Sequence, residues 1–274
     1  MNRVYVPTES PEDWRALLAD PVKHWRKGYS AMSLAYCWEQ SKGFPKRVKQ
    51  ALATIPALKD LELILAIPEY KVVLPGGGAA SANDLFVLAR SSEGLVCMMV
   101  EGKVNEPFGP LVSEWVKNAS PGKKKRLRYL CETTGLSEAA VQDVRYQLLH
   151  RTASAIIEAG RFNASHALML VHSFSGTREW FEDYRRFAAL FGVDVQPGKV
   201  FKAGRIKSVD LYLGWVSDLD EYGQEELPDD FPSGTVVARK CACCGHHEIG
   251  IKTEAGKFVP LKPRNQVRVI PYMR

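Results

Sequence analysis

Long apolar runs are missing from this chain of 274 residues. No stretch reaches the ~18 uninterrupted apolar residues that a membrane-crossing helix needs, so an integral helical membrane protein is not expected. The opening Met1-Asn-Arg-Val-Tyr-Val-Pro7 lacks the charged-then-apolar pattern of a signal peptide. Cysteine is sparse: six residues, of which three crowd into positions 241–244 while Cys37, Cys97 and Cys131 sit in apolar segments. That is no disulfide framework, and it points to a reducing, cytoplasmic setting. Internal repeats and low-complexity tracts are absent. The triple glycine Gly76-Gly77-Gly78 is followed by no Lys-Ser/Thr and opens no helix, which excludes a phosphate-binding loop of the nucleotide-hydrolase kind. Aromatics do not interleave the one strongly basic run, so a base-stacking platform is not implied.

What is present is ordinary for a soluble protein: 46% hydrophobic and 25% charged residues, with a net charge of +6 and a pI near 8.9. A mildly basic balance is compatible with a nucleic-acid partner without requiring one. The length suggests one main domain and an appendage. We place the main domain at residues 1–220, an acidic, proline-containing linker at 221–233, and a small β segment at 234–274, where short β-like runs alternate with glycine and proline.

Within the main domain, Ser10-Pro11-Glu12-Asp13 reads as an N-cap, a proline at the first helical position and acids in the first turn. Ser30 reads as the cap of a second helix that carries Leu34, Trp38 and Glu39 and ends at Gly43. A helical stretch over 45–54 precedes a strand at 61–67, after which Pro68-Glu69 and Val72–Leu74 lead into the triple glycine. Residues 145–159 show an apolar stripe of Leu148, Leu149, Thr152, Ala153, Ile156 and Ala159 at helical spacing, with Gly160 as its cap. His166–His172 is a near-continuous apolar run, as expected of a strand covered on both faces, with His172 packed at its end. Thr177 reads as the cap of a helix bearing Trp180, Tyr184, Phe187 and Leu190, and 209–216 reads as a further strand.

The chain is organised around residues 84–103. Two apolar runs, 85–89 and 95–100, flank Ser91-Ser92-Glu93-Gly94, the pattern of a β-hairpin. Pairing Ser91 with Gly94 across a two-residue loop sets Asp84 opposite Glu101, with side chains roughly 5 Å apart at Cβ. Lys103, two residues on, faces the same way. Two carboxylates opposed at the end of an apolar ladder repel each other. A Mg²⁺ ion held by their oxygens removes that cost, and Lys103 could then hold an attacking water or steady phosphoryl charge. The bland alternative is a salt bridge. A one-residue slip in the turn would undo the alignment.

Asp84, followed seventeen positions later by Glu101-Gly102-Lys103, resembles the PD-(D/E)XK nuclease motif. The order helix, three strands, helix, strand resembles the restriction-endonuclease-like core, an α/β fold with a mixed central sheet flanked by helices. Lys23–Ser30, Val104–Gly109 and Tyr146–Ser154 resemble an uncharacterised family within that superfamily, so the likeness covers roughly residues 20–217. Asn83 stands where the motif has proline. The resemblance implies a Mg²⁺- or Mn²⁺-dependent hydrolase of phosphodiester bonds, expected in DNA. Asp84, Glu101 and the Gly102 carbonyl would bind metal and Lys103 would position the water. From the helix, Gln147 would order water or phosphate and Arg151 would contact the scissile backbone. Superfamily members sometimes recruit an acid from the first core helix, which singles out Glu39, against a plain solvated glutamate. Glu69 would be either an additional metal ligand or a charge at the rim of the site.

Two further features carry expectations. Lys123, Lys124, Lys125 and Arg126 open a run in which five of six residues are basic; it is either a solvated helix start or a set of phosphate contacts. Cys241, Cys244 and His246 resemble half of a zinc ribbon, but no second pair follows to close a four-ligand site. The rivals to a nuclease are therefore a non-catalytic binding module of the same fold and a zinc-knuckle interaction protein. Cutting both strands of a duplex would favour a homodimer.

Overall fold

In the computed structural model, which describes residues 5, 7–26, 29–218, 236–240, 247–252 and 258–260, helices α1 (Pro11–Leu17), α2 (Pro21–His24), α3 (Ser30–Ser41) and α4 (Lys46–Leu52) precede the first strand. Three antiparallel strands follow: β1 (Glu62–Val72), β2 (Ser81–Ser91) and β3 (Gly94–Lys103). Helices α5 (Val112–Trp115), α6 (Pro121–Thr134) and α7 (Tyr146–Arg161) cross over to β4 (His166–Ser173), which pairs parallel to β3. Then come α8 (Phe181–Ala189), β5 (Lys199–Ile206) and β6 (Val209–Ser217). The result is a six-stranded mixed sheet in the order β1-β2-β3-β4-β6-β5, an open α/β sheet flanked by helices.

Alternation along the strands divides the core in two. Phe86, Cys97, Met99, Met169 and Leu213 face α6 and α7, where Leu127, Leu130, Leu148 and Ala153 meet them. Leu85, Val87, Met98, Val100 and Leu170 face α3 and α4, where Leu34, Trp38, Val48 and Leu52 meet them. Helices therefore cover both faces of the central parallel strands, which is why β4 is buried along its whole length.

The hairpin forms in the expected register, with Ser91 opposite Gly94 and Leu85 opposite Val100. Other boundaries differ. The first strand runs through Pro68 to Val72, because β1 lies at the edge of the sheet and an edge strand tolerates a residue without an N–H. Helix α8 starts at Phe181 rather than after Thr177, with Trp180 at its N-cap in a left-handed conformation (φ 65°). Helix α7 continues through Gly160 to Arg161.

The chain divides into two compact units, Met1–Asp218 and Leu219–Arg274. The described part of the second is a three-stranded antiparallel sheet of β7 (Val236–Lys240), β8 (His247–Lys252) and β9 (Phe258–Pro260). Among the described residues, no helix is long and apolar enough to cross a membrane. Cys241, Cys244 and His246 lie outside the described residues.

Candidate active site

One step beyond the Leu85–Val100 pair, Asp84 and Glu101 meet at the end of the hairpin on the face covered by α7. Lys103 Nζ donates to Glu101 Oε1 at 2.6 Å. Arg151, from the middle of α7, donates through Nε to Glu101 Oε2 and through Nη2 to Asp84 Oδ1 at 3.4 Å. The Gly102 N–H donates to Asp84 Oδ2 at 2.9 Å. Gly102 faces the other side of the sheet, where an added Cβ would come within 3.2 Å of the Ser30 Cβ. Glycine at this position therefore lets α3 pack directly beneath the acids.

These groups are removed from solvent: Glu101 is 1% exposed, Lys103 3% and Arg151 5%. Burial works against the Glu101 charge, but Arg151 and then Lys103 outweigh it, and the carboxyl is held below its ordinary value. Asp84 goes the other way. Burial, with Glu101 beside it, pushes its carboxyl up to about 6 against the pull of Arg151, Lys103 and the Gly102 N–H. Burial also opposes the Arg151 charge, yet Glu101 and Asp84 raise that group above its usual value.

A third carboxylate joins them. The β1–β2 register passes from Pro68–Leu85 to Tyr70–Asn83, which sets Glu69 across from Asp84. Glu69 is half-buried and its backbone is left-handed (φ 50°), a conformation that costs energy in a residue with a side chain. Its carboxylate makes no hydrogen bond or ion pair among the described residues. Burial first, then Asp84 and Glu101, push it up to about 8, opposed by Arg151 and Lys71. Three acids thus share two buried cations, and Glu101 engages both. The open oxygens belong to Asp84 and Glu69. Carboxylate oxygen is the donor that Mg²⁺ and Mn²⁺ prefer, so the residues present fit such an ion.

Helix α7 carries the supporting residues. Gln147, one turn before Arg151, is half-buried, and its amide makes no hydrogen bond among the described residues. His150 was not anticipated. It pairs with Ser81 Oγ through Nδ1 at 2.8 Å, and Ser154 Oγ donates to the same hydroxyl at 2.9 Å. Burial, then Arg151, Arg126 and Lys103, hold His150 well below its ordinary value and keep it neutral. Its only sequence signal is its place on the helix, since nothing in the spacing pairs it with Ser81. Glu158, at the far end of α7, accepts from Tyr70 and Arg161 and belongs to the packing.

The basic run divides. Lys124 and Lys125 are exposed at the start of α6. Lys123 donates to the Trp115 carbonyl at 3.2 Å and lies over the Trp115 ring. Arg126, expected as a phosphate contact, instead donates to the carbonyls of Pro75, Gly77 and Ala79 and clamps the glycine turn. Gly76, Gly77 and Gly78 all take positive φ there, and a Cβ on Gly76 would come within 2.1 Å of the Gly122 carbonyl oxygen. Glu39 is committed elsewhere as well, accepting from Thr8 at 2.6 Å and Trp14 at 2.7 Å.

On the α3 side of the sheet, Cys37, His172 and Asp218 bring potential ligand atoms within 4.8 Å of one another. The Trp38 indole N–H donates to His172 Nδ1 at 3.1 Å, which leaves the ring proton on Nε2, 2.7 Å from Asp218 Oδ2. The Cys37 thiol donates to the same oxygen at 3.1 Å. Burial would raise the Asp218 carboxyl, but His172 and Cys37 hold it below its ordinary value. A ligating histidine presents an unprotonated nitrogen to the ion and donates from the other. Here the nitrogen facing the cluster carries the proton, and the set is satisfied as a hydrogen-bonded network.

A family model described as a domain of unknown function, DUF6946, matches residues 7–220. No curated protein and no solved structure matches the chain.

Proposed function

Because the chain belongs to the DUF6946 family, a domain of unknown function, its activity has to be argued from its site, and we propose that the site hydrolyses phosphodiester bonds with a divalent cation, in the manner of a restriction-endonuclease-like nuclease acting on DNA. One observation carries the reading: Asp84, Glu101, Lys103 and Arg151 converge in a single buried cluster at the end of a hairpin. The surrounding order of elements supports it, since helix, three strands, helix and strand is the order expected of that fold.

When bound, Mg²⁺ or Mn²⁺ would polarise a phosphoryl oxygen and make water a nucleophile near neutral pH. The chain's own residues do the rest. Glu101 fixes Lys103 so that its ammonium faces the reacting centre with little freedom to lose. Lys103 orients the attacking water and steadies the charge that develops on the phosphoryl oxygens. Arg151 makes no hydrogen bond through Nη1 among the described residues, which leaves that N–H pair for a non-bridging oxygen. Gln147, a turn away with its amide uncommitted, orders water or phosphate. Lys124 and Lys125 extend the positive surface along α6.

Incubating the protein with single- and double-stranded DNA and RNA in Mg²⁺ or Mn²⁺, beside Lys103→Ala, tests this. Cleavage by the wild type and a loss of about 10²–10³-fold in the variant are expected. A second reading, a binding module of the same fold, is favoured by one fact: the chain's own Lys103 and Arg151 engage both oxygens of Glu101. Wild-type protein that binds nucleic acid yet cuts none of these substrates, with Glu101→Ala binding equally well, would establish that reading instead.

A further inference from the structure

We infer that Glu69, with Asp84, supplies the carboxylates of the cation site, and that Glu101 is a positioning residue that aims Lys103 and Arg151. The inference rests on the metal-dependent reading above but changes its ligand set. In the motif read from the sequence, Asp84 and Glu101 are the metal pair. In the folded chain the three acids differ in how fully they are partnered. Glu101 is saturated, with Lys103 on one oxygen and the Arg151 Nε on the other. Asp84 is partly used: one oxygen accepts the Gly102 N–H, and the other has only the longer 3.4 Å contact to Arg151. Glu69 has no partner among the described residues, though it lies half-buried beside two other acids.

Charge balance points the same way. With all three acids ionised, Lys103 and Arg151 offset Glu101 and one further acid, and the third carboxylate needs either a proton or a cation. A divalent cation on the Glu69 side of Asp84 neutralises it without displacing either buried base. Placing the cation between Asp84 and Glu101 would mean breaking the Arg151 bridge that joins those two acids. Glu69 takes a left-handed backbone within an otherwise extended strand, at the position opposite Asp84.

The test is Mn²⁺ binding, read by electron paramagnetic resonance and by calorimetry on the full chain, with no substrate present. Asp84→Asn and Glu69→Gln are each expected to weaken Mn²⁺ by about 10-fold or more, a typical loss when a metal site's support is removed. Glu101→Gln is expected to keep close to wild-type Mn²⁺ affinity while losing cleavage. Circular dichroism and urea titration confirm that each variant is folded, and Glu69→Gln, which changes a half-buried group with no hydrogen-bond partner among the described residues, is the safest of the three. Wild-type affinity in Glu69→Gln overturns the inference, as does a loss in Glu101→Gln equal to that in Glu69→Gln. The nuclease reading fails separately: a wild type that binds Mn²⁺ through Glu69 but cuts no nucleic acid keeps the site and loses the reaction.

Discussion

Glu101 illustrates how a single residue can be both expensive and indispensable. A buried carboxylate with two buried bases holds its charge only while both bases remain. Arg151→Ala should therefore destabilise the chain by about 3–5 kcal/mol, because it leaves Glu101 and Asp84 short of a counter-charge. Urea denaturation measures this, and adding Glu101→Gln to the same chain should recover part of the loss. A destabilisation below about 1 kcal/mol would mean that the pair is not buried as described. Glu69 gives a second prediction of opposite character. Its carboxyl titrates near 8 in the folded chain and near 4.5 when free, facing Asp84, Arg151, Glu101 and Lys71. The folded state thus binds that proton more tightly than the unfolded chain. The stability it contributes is complete below about pH 4.5 and is lost as pH rises towards about 8. Asp84 has the same sign over a narrower window ending near 6, whereas Glu101, with a lowered pKa, contributes stability that is lost as pH falls. Glu69→Gln should flatten the decline between about pH 5 and 8. An unchanged slope in that variant would show that another group carries it.

The elements differ in how plainly the sequence announces them. The β2–β3 hairpin was readable because a two-residue turn fixes register and register fixes which side chains face each other. Helix α7 was readable because its apolar stripe repeats at helical spacing, and that periodicity put Gln147 and Arg151 on one face; Arg151 does reach the acids. Glu69 was only half readable. Its place across from Asp84 depends on how β1 pairs with β2 over an intervening turn whose shape no local pattern determines, and Pro68 suggested that the strand had already ended. Strand β5 escaped because Gly204 and scattered lysines blur its alternation. Arg126 follows a related rule: a basic run looks like a binding face until the carbonyls that claim one of its members are known. The glycine turn it clamps yields a prediction. Gly76 combines φ 92° with backbone contact to Gly122, so Gly76→Ala should cost about 1–3 kcal/mol in a thermal melt. Gly77→Ala, with positive φ but open space around it, should cost less.

Across the first unit, the catalytic candidates lie at the carboxyl end of β3, beside the carboxyl ends of the parallel strands β4 and β6. Open α/β sheets bind ligands at such ends, so the candidate site lies where that rule looks for one. The Cys37–His172–Asp218 network occupies the same ends on the opposite face and ties α3, β4 and the end of β6 together beneath Gly102. At this scale the net charge of +6 also matters. If the α6 lysines contact phosphates, Lys124→Ala and Lys125→Ala should each reduce the salt dependence of DNA binding by about 0.9 in the log–log slope. Fluorescence anisotropy across a salt series reads this, and unchanged slopes would remove that helix from the interface.

The break at Pro68 and Glu69 has a consequence beyond chemistry. Strand β1 forms one edge of the six-stranded sheet, and Ile64 and Val73 are exposed on and just beyond it. A long, regular, apolar edge invites a neighbouring molecule to add its own strand, the first step of runaway association. Proline offers no N–H to such a newcomer, the residue after it is left-handed rather than extended, and the register shift between Leu63 and Leu65 interrupts the same strand. The irregularity that brings an acid to the site therefore also keeps the sheet finite. Repairing it to an ideal strand would open this edge to pairing as well as move the carboxylate.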